Sequence, residues 1–346
     1  MTSGTAKFGI GIIGTGMVAQ IHARALADLA DDIEVRGVYS RNAAKCRKFA
    51  QEFGLPVVGS VKELCDDPNL SACIVLTPPN ARMDIVGKLA NAGKHILLEK
   101  PIERTSGAAE AIVDICAQAG VTLGMVFQFR FRAASQILKT MVEDGRLGSI
   151  YSVQLAVPWW RPQSYYDEPG RGSLERDGGG VLINQAIHGL DLMQFFAGPV
   201  AEVQSMAATS GHHTMETEDF VAAALRFTSG AIGSFMATTA TYPGGPEVLV
   251  LNCEKATARL DSGALIVEWL DGTSEIHGAK TGTGGGADPM AFPHEWHAAV
   301  INNFMHAVQS RQSPAISGKD ALANHYLIDA LLTSSKSGRA SRVKQG

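Results

Sequence analysis

The chain has 346 residues, of which 45% are hydrophobic and 18% charged. That is enough apolar material for a packed core, and the length predicts two domains. The formal net charge of −4 gives no basic excess, so we expect neither a nucleic acid nor an anionic membrane as partner. No apolar run reaches the roughly 20 residues that a membrane-spanning helix needs.

The cysteines are scattered and show neither a CxxC motif nor a metal-ligand spacing. They are Cys46, Cys65, Cys73, Cys116 and Cys253. An odd, dispersed set is typical of a reducing compartment. The first residues, Met1–Gly4, carry no basic-then-apolar signal segment. We therefore expect a cytoplasmic protein.

The first part of the chain alternates between short apolar runs and helical patterns. Strands are predicted over Lys7–Ile13, Ile33–Tyr39, Val57–Val58, Ala72–Leu76, Ile96–Leu98 and Val121–Phe127. One helix is predicted over Val18–Leu29, and a second runs through Phe49 and Phe53 and stops at Gly54. Two more are predicted from an N-cap at Asn80 to Gly93 and over Gly107–Ala119. Alternation at this spacing predicts a doubly wound parallel sheet, forming an α/β domain over residues 1–127.

The pattern changes after residue 127. Helices are predicted over Ser135–Glu143, Val181–Phe196, Glu295–Arg311 and Lys319–Ser335. Strands are predicted over Ile150–Val157, Glu202–Ala208, Phe220–Phe227, Ala231–Thr241, Val248–Leu251, Ala256–Leu260 and Leu265–Trp269, and loops over Trp159–Gly180 and Gly282–Asp288. Strands joined by hairpin-type turns predict an α+β domain over residues 128–346 with a large, mostly antiparallel sheet. The last two helices are candidates to pack back on the first domain.

The turn after the first predicted strand has the phosphate-binding form Gly-x-Gly-x-x-Ala. Gly14 permits the tight turn, Gly16 lets the backbone approach a pyrophosphate, and Ala19 is small enough for the helix to pack on the strand. A pyrophosphate would then lie on the free N–H groups of the helix N-terminus. The turn therefore predicts a dinucleotide cofactor.

The end of the second predicted strand bears on the choice between NAD and NADP. An NAD site places a carboxylate there for the ribose 2′-hydroxyl, whereas this chain has Ser40 and Arg41, with Glu34 only at the start of the strand. Ser40 can donate a hydrogen bond, and Arg41 can pair with a 2′-phosphate. The sequence favours NADP. NAD stays open, since Arg41 can instead stack on the adenine or point to solvent.

A lysine follows another apolar strand, in the sequence Glu99-Lys100-Pro101. Gln128 follows the next strand. Open parallel sheets bind their ligands at the carboxyl ends of the strands. A charged lysine held at this position by a proline indicates a role in binding or catalysis more strongly than a structural role.

A second candidate group lies in the second predicted domain. Three glycines, Gly178–Gly180, precede the predicted helix that carries Asn184 and His188, which are four residues apart and share a face of an α-helix. A histidine there can act as a general base near neutral pH, and an asparagine can hydrogen-bond a hydroxyl without charge. The alternative is a structural histidine.

The aromatic loop between the two candidate groups suits a sugar ring, or a carboxylate or phosphate on it. Its arginines and tyrosines favour a substrate pocket at Arg161, Tyr166 and Arg171. For Trp159 and Trp160, pocket and packing are equally open.

Two further histidine groups give no metal prediction. The sequence His294-Glu295-Trp296-His297 lacks the HExxH spacing and a third ligand, so we interpret it as the exposed start of a helix. His212 and His213 lie in a predicted turn and are interpreted as solvated surface. No metal site is predicted.

Together these motifs resemble the glucose–fructose oxidoreductase/inositol dehydrogenase/rhizopine catabolism (Gfo/Idh/MocA) family, over nearly the whole chain. The resemblance rests on Gly11–Ala19, Thr77–Asn80, Gly93–Pro101, Gly145–Ile150, Gly178–Gly180 with Asn184, His188 and Asp191, and Gly318–Ser335. It implies a Rossmann domain and an α/β domain whose open sheet face forms a homodimer or homotetramer. It implies hydride transfer between a nicotinamide and a carbinol carbon of a small-molecule substrate, a sugar, cyclitol or related cyclic diol.

The resemblance also implies roles for individual residues. Lys100 hydrogen-bonds the reacting hydroxyl, His188 takes or gives its proton, and the Lys100–Pro101 bond is cis. Cofactor contacts are implied for Gly14, Thr15, Gly16, Met17, Val18, Ser40, Arg41, Thr77, Pro78, Asn80, Glu99 and Lys100. Substrate contacts are implied for Gln128, Arg161, Tyr166, Arg171, Asn184 and His188.

The chain departs from the family pattern at two positions. Asn184 stands where relatives often have Asp, which weakens a proton-relay role there, and Arg82 stands where a histidine often follows Thr-Pro-Pro-Asn.

Two alternatives to a dehydrogenase stay open. One is a glycosidase on the same fold that uses tightly held NAD for transient oxidation. The other is a ligand-sensing homologue without catalysis, which the presence of both Lys100 and His188 disfavours.

Overall fold

The computed structural model describes residues 6–282, 285–286 and 292–346. Residues 1–5 and most of the glycine-rich segment predicted as a loop therefore lie outside the described residues. The chain divides into two compact units. The first comprises Met1–Glu103, Gly107–Gln128 and His294–Ala321, and the second comprises Arg104–Ser106, Phe129–Pro293 and Leu322–Gly346.

Strands and helices are numbered in chain order. The strands are β1 (Phe8–Ile13), β2 (Ile33–Tyr39), β3 (Ala72–Val75), β4 (His95–Glu99), β5 (Leu123–Val126), β6 (Ile150–Pro158), β7 (Val200–Ala208), β8 (Phe220–Phe227), β9 (Ile232–Thr238), β10 (Val248–Cys253), β11 (Ala256–Asp261), β12 (Ala264–Trp269), β13 (Ser274–His277) and β14 (Ser341–Arg342). The α-helices are α1 (Ala19–Asp28), α2 (Ala43–Phe53), α3 (Val61–Asp66), α4 (Arg82–Asn91), α5 (Ser106–Gln118), α6 (Ala133–Glu143), α7 (Gln163–Tyr166), α8 (Ile187–Ala197), α9 (Glu295–Ser310) and α10 (Gly318–Ser337).

The first unit is built on a five-stranded parallel sheet in the order β2-β1-β3-β4-β5. The apolar run of β3 is fully buried, with every residue 0% exposed. Such a run is typical of a parallel strand that is covered on both faces. The doubly wound sheet predicted from the alternation is confirmed.

Local signals set the bounds of the helices in this unit. Asn42 caps α2 by accepting a hydrogen bond from the Lys45 backbone N–H at 3.0 Å, and Gly54 ends that helix in the left-handed conformation at φ +66. The predicted N-cap at Asn80 is wrong. Asn80 lies inside a short 3-10 helix, Pro79–Ala81, and α4 begins after it with no side-chain cap.

The second unit contains a nine-stranded sheet in the order β13-β12-β11-β10-β6-β9-β8-β7-β14. All neighbouring strands are antiparallel except β6 and β9, so the predicted large, mostly antiparallel sheet is confirmed. One face packs against α6 and α8 and carries the buried side chains of Leu155 and Phe235. The register places Gln154 opposite Ser234 on the other, open face.

The helix predicted over Val181–Phe196 is present, but its first turns are not α-helical. It begins as a π-helix over Leu182–Ala186 and continues as α8. The predicted strand at Val57–Val58 is reduced to a single bridge between Val38 and Val57. Among the described residues, no helix is long and apolar enough to cross a membrane.

Candidate active site

The strand order of the first unit gathers most of the residues predicted to bind the cofactor, together with Gln128, which is predicted to contact the substrate. Each follows the carboxyl end of one of five parallel strands, the edge where open sheets bind ligands. In spatial order across the sheet these residues are Ser40 and Arg41 after β2, Gly14–Val18 after β1, Thr77 and Pro78 after β3, Glu99 and Lys100 at β4, and Gln128 after β5.

The turn after β1 shows which of its glycines the fold itself requires. Gly14 has φ +106, and a Cβ there would lie 3.0 Å from the backbone carbon of Leu76. Gly14 is therefore required by the close approach of two chain segments. A Cβ on Gly16 would meet no protein atom within 4 Å. Packing does not require Gly16, so this position has open space for a ligand.

At the N-terminus of α1, the backbone N–H groups of Ala19 and Ile21 donate to Gly16 O at 3.0 Å and to Val18 O at 3.2 Å. Its N-cap residue, Val18, makes no side-chain hydrogen bond to the helix, and the first turn holds no acidic residue. The helix dipole favours an anion at this end. This end of α1 fits the pyrophosphate of a dinucleotide.

Two buried polar atoms at the same edge also fit a bound group. Thr77 Oγ1 and Gln128 Oε1 are buried and make no hydrogen bond within the described parts of the chain. Buried polar atoms are normally hydrogen-bonded, so an atom without a protein partner indicates a partner of another kind. The residues at this edge therefore fit a dinucleotide cofactor.

The region after β2 is basic. Arg41 is exposed and makes neither a hydrogen bond nor an ion pair with the described residues. The nearest acid of the strand, Glu34, lies at its other end and pairs with Arg36 at 2.9 Å. No carboxylate of strand β2 therefore lies at its carboxyl end, where Tyr39 is followed by Ser40 and Arg41.

Arg82 links two of the loops at the carboxyl edge, and sequence reasoning assigned it no function. It is 2% exposed, and its Nη1 donates to the carbonyls of Glu99, Pro101 and Ile102 while its Nε donates to Thr77 O at 3.0 Å. Burial lowers the pKa of Arg82 to about 10, so its guanidinium remains charged at neutral pH. The loop that it holds contains the cis Lys100–Pro101 bond implied by the resemblance.

The interpretation of His297 as an exposed residue is wrong, because His297 belongs to a buried cluster with His22 and Glu99. His297, interpreted as part of an exposed helix start, is 1% exposed, and its ring packs edge-on against the His22 ring at 5.0 Å. His22 Nε2 lies 3.0 Å from Glu99 Oε1, and His297 Nε2 lies 3.9 Å from the same oxygen. Tertiary contacts between distant segments bury His297, and no local pattern in the sequence indicates them.

The protonation states in this cluster follow from burial and charge. Burial lowers the pKa of His297 to about 3, so its ring is neutral at physiological pH. Burial alone raises the pKa of Glu99, but the hydrogen bond with His22 and the charge of Lys100 reverse this, and the net pKa is lowered. Glu99 is therefore a buried carboxylate anion.

His188 lies in the second unit, on α8. It is buried, and its ring stacks on Phe129 with centroids 4.9 Å apart. Asp191, one turn further along, accepts two hydrogen bonds from Arg130 at 2.7 and 2.6 Å and one from Asn324 at 3.0 Å. Bidentate pairs of this kind fix geometry as well as charge, so the helix that carries His188 is firmly held.

The three glycines before this helix allow close backbone contacts within the second unit. A Cβ on Gly180 would lie 1.8 Å from Glu218 O, and one on Gly178 would lie 2.5 Å from Arg104 Cα. The Glu218 carboxylate accepts from the backbone N–H groups of Gly180 at 3.2 Å and Leu182 at 3.0 Å. The glycines therefore let Glu218 reach the start of the π-helix.

Asn184 lies inside the π-helix Leu182–Ala186, whereas the sequence pattern predicted one continuous α-helix that carries both it and His188. Five-residue hydrogen bonding widens the turn there. The Asn184 side chain donates from Nδ2 to Gly179 O at 2.8 Å and to Gly180 O at 3.1 Å. It thereby holds the glycine turn.

The three residues predicted to line a substrate pocket differ in their surroundings. Arg161 is buried and donates to Trp160 O at 2.7 Å and Gly286 O at 2.6 Å. The Tyr166 hydroxyl lies 2.7 Å from Thr239 Oγ1, and burial raises its pKa. Arg171 is half-buried and pairs with Glu168 at 2.9 Å.

His213 is not solvated, contrary to the sequence interpretation, whereas its neighbour His212 is exposed. His213 Nδ1 lies 2.7 Å from Asp219 Oδ2, and Nε2 donates to Arg161 O at 2.8 Å. Asp219 also accepts from the backbone N–H of Ser210, as an ionised carboxylate does. Both ring nitrogens of His213 therefore lie within hydrogen-bonding distance of oxygen atoms.

Comparison with known families assigns both units. Residues 8–127 match the model of the oxidoreductase family with an NAD-binding Rossmann fold, and residues 135–259 match the Gfo/Idh/MocA C-terminal domain. The chain belongs to the Gfo/Idh/MocA family. It is accordingly an NAD(P)-dependent oxidoreductase, as the sequence motifs predicted.

Several Gfo/Idh/MocA proteins resemble the chain over most of its length. It is 25% identical to 1,5-anhydro-D-fructose reductase of Ensifer adhaerens, over 90% of this chain and 92% of the relative. It is 24% identical to D-xylose 1-dehydrogenase (NADP(+)) 2 of Haloferax volcanii, over 95% of this chain and 98% of the relative. The WlbA dehydrogenase of Bordetella pertussis, solved in complex with NADH and UDP-GlcNAcA, has a TM-score of 0.83 and 29% identity, covering 98% and 100% of the two chains.

Replacing Gly16 by alanine is expected to weaken dinucleotide binding without loss of stability. The added methyl group meets no protein atom but enters the space at the helix N-terminus, so the Kd for NADPH should rise by ~10-fold. Gly87→Ala, in α4, is the matched control because its Cβ is equally unobstructed. Calorimetric titration and thermal melting measure both effects. Unchanged NADPH binding by Gly16→Ala would contradict the placement of the pyrophosphate.

Protein stability is expected to fall between pH 7 and pH 5 because of His297. An unfolded histidine binds a proton near pH 6.5, whereas the folded pKa is about 3, so the unfolded state gains the proton first. The free energy of unfolding therefore drops by at most about 1.4 kcal/mol per pH unit in this window. Urea denaturation at the two pH values should show a smaller drop for His297→Gln. Equal drops in both proteins would rule out a buried neutral His297.

Proposed function

We propose that the chain is an NADP(H)-linked dehydrogenase or reductase that acts on a carbinol carbon of a sugar, cyclitol or related cyclic diol. The observation that carries the proposal is the carboxyl edge of the first unit. There the Gly16 turn, where an added Cβ meets no described atom within 4 Å, and Thr77 Oγ1, which has no hydrogen-bond partner among the described residues, lie at the same edge as the N-terminus of α1 and the loop that carries Lys100. This edge suits a dinucleotide beside a cationic side chain.

The proposed chemistry divides the work between Lys100 and His188. When bound, the nicotinamide accepts or supplies the hydride. Lys100 donates a hydrogen bond from its ammonium group to the substrate oxygen and stabilises the alkoxide as it develops. His188 takes the hydroxyl proton during oxidation and returns it during reduction. Asn184 adds a hydrogen bond without a second charge.

We assign the remaining predicted residues to binding. The proposed cofactor contacts are Gly14, Thr15, Gly16, Met17, Val18, Ser40, Arg41, Thr77, Pro78, Asn80, Glu99 and Lys100. The proposed substrate contacts are Gln128, Arg161, Tyr166, Arg171, Asn184 and His188. The first domain, residues 1–127, is proposed to hold the dinucleotide, and residues 128–346 to supply the substrate and oligomer surfaces.

The preference for NADP rests on the region after β2. Arg41 is exposed and available to a 2′-phosphate, and no carboxylate of β2 competes with that anion at the strand end. Relatives support both coenzymes, since the Haloferax enzyme is named for NADP(+) and the Bordetella structure holds NADH. We therefore propose NADP as the preferred coenzyme and NAD as a weaker one.

The partner and compartment are also proposals. The relatives named above act on sugars or a sugar nucleotide by their names, which supports a polyol or sugar substrate. The open face of the nine-stranded sheet carries exposed apolar side chains such as Met206 and Ile232, which supports a homodimer or homotetramer. Five free thiols, four of them buried, support the reducing cytoplasm.

Removing either proposed catalytic group is expected to abolish most turnover. The substrate is first identified by screening sugars, inositols and dihydrodiols and measuring the absorbance of the reduced nicotinamide. Lys100→Ala and His188→Ala should each lower kcat by ~10²-fold or more. His188→Ala should keep its affinity for NADPH. His306→Ala, at an exposed histidine of α9, is the control. Turnover close to wild type in either variant would refute the assigned roles.

Removing the Arg41 guanidinium is expected to change coenzyme preference. Arg41→Ala should raise the KM for NADP by roughly 10-fold and leave the KM for NAD within about 2-fold, because only NADP carries the 2′-phosphate. Arg24→Ala removes another exposed arginine, from α1, and should change neither value. Equal increases for the two coenzymes in Arg41→Ala would overturn the NADP assignment.

A further inference from the structure

We propose that Glu99 is a positioning residue that sets the main chain of Lys100, and that His22 holds Glu99 in place for this task. The inference rests on the proposed function, in which Lys100 is catalytic. It assigns the neighbouring carboxylate a task of its own, carried out without contact to the reacting atoms.

The two oxygens of the Glu99 carboxylate have different partners. Oε2 accepts the backbone N–H of Lys100 at 3.1 Å, and Oε1 lies 3.0 Å from His22 Nε2. A carboxylate accepts hydrogen bonds at both oxygens and donates none, so His22 must donate from Nε2. The carboxylate therefore bridges a fixed ring and the peptide N–H of the proposed catalytic lysine.

His22 is a suitable anchor because its ring is buried and the helix that carries it packs against α9. The ring is 0% exposed, lies in α1, and is packed edge-on by His297. The same helix begins at the turn proposed to bind the pyrophosphate. Contacts therefore run from α1 through His22 and Glu99 to the Lys100 main chain, so the dinucleotide turn and the lysine share one rigid support.

The charge of Glu99 is balanced by groups of the first unit. The Lys100 ammonium helps to lower the pKa of the carboxylate. Burial lowers the pKa of Arg82, and the negative charge of Glu99 offsets part of that shift. A buried carboxylate is tolerated only when charges and hydrogen bonds compensate its lost hydration. Replacing it by an apolar side chain removes both the hydrogen bond to Lys100 and the charge compensation.

The same three side chains could be interpreted as a metal site, since ligand atoms of His22, Glu99 and His297 lie within 4.8 Å of one another. Two observations argue against it. A ligating histidine normally donates its second ring N–H to an acceptor, whereas His22 Nδ1 is buried and has no hydrogen-bond partner within the described parts of the chain. The adjacent Lys100 ammonium also repels a cation.

The test compares an isosteric and a truncated variant of Glu99. In Glu99→Gln the amide oxygen still accepts from Lys100, and the amide NH₂ donates to His22 Nε2, whose proton moves to Nδ1. In Glu99→Ala both contacts are lost. Glu99→Ala should lower kcat, measured at saturating NADPH, by roughly 10- to 100-fold, and Glu99→Gln should restore kcat to within about 5-fold of wild type.

Asp67→Ala is the matched control for lost stability. Asp67 also holds a backbone N–H, that of Asn69 at 2.8 Å, but it lies before β3, at the opposite edge of the same sheet. The Asp67→Ala variant should have a lower melting temperature but an unchanged kcat at saturating NADPH. Full kcat in Glu99→Ala, or a loss in Glu99→Gln as large as in Glu99→Ala, would overturn the proposal.

Hydrogen exchange supplies a readout that needs no substrate. Mass spectrometry of a peptide that covers β4 and Lys100 should show one amide exchanging at least ~10-fold faster in Glu99→Ala and unchanged in Glu99→Gln. Wild-type protection in Glu99→Ala would contradict the Lys100 hydrogen bond. A stoichiometric metal in purified wild-type protein that Glu99→Ala lacks would also overturn the proposal.

The result for Lys100→Ala separates this inference from the proposed function. Wild-type turnover in Lys100→Ala removes the proposed function and this inference with it. An inactive Lys100→Ala beside a fully active Glu99→Ala removes only the inference.

Discussion

Parallel pairing of β1 with β2 and β3 is the constraint on which the candidate site depends. Because the strands run in the same direction, their carboxyl ends meet at one edge, and the segments that follow them must share that edge. Gly14 lies there close to the backbone of Leu76 and has φ +106, so a side chain at this position would be crowded and strained. Even without a ligand, the fold therefore places the N-terminus of α1, Arg41 and the loop that carries Lys100 at the same edge of the sheet.

Buried charges give this edge and the second unit their definite geometry. Arg82 joins two loops through backbone carbonyls, and Glu99 joins a helix to the Lys100 main chain. In the second unit, the Arg130–Asp191 pair fixes the helix that carries His188. Isolated buried charges are costly, so each of these groups is stable only with its partners in place. Such pairs favour a single arrangement of the functional side chains.

The sequence predicted the repeating and local features well. The alternation of apolar runs, the glycine turn after β1 and the lysine after β4 follow from short-range patterns, and the structure confirms both sheets. The errors concern tertiary contacts. His297 and His213 are buried by segments far away in the chain, and the π-helix at Asn184 starts where Glu218, a distant residue, caps it. A hydrophilic side chain shows no local sign of such partners.

A crystal structure of the protein with NADPH and a turned-over substrate would test the central claim most directly. The account predicts the pyrophosphate on the N-terminus of α1, the 2′-phosphate beside Arg41, and both Lys100 and His188 within hydrogen-bonding distance of the substrate hydroxyl. A dinucleotide bound away from the carboxyl edge, or a substrate hydroxyl that neither side chain reaches, would contradict it.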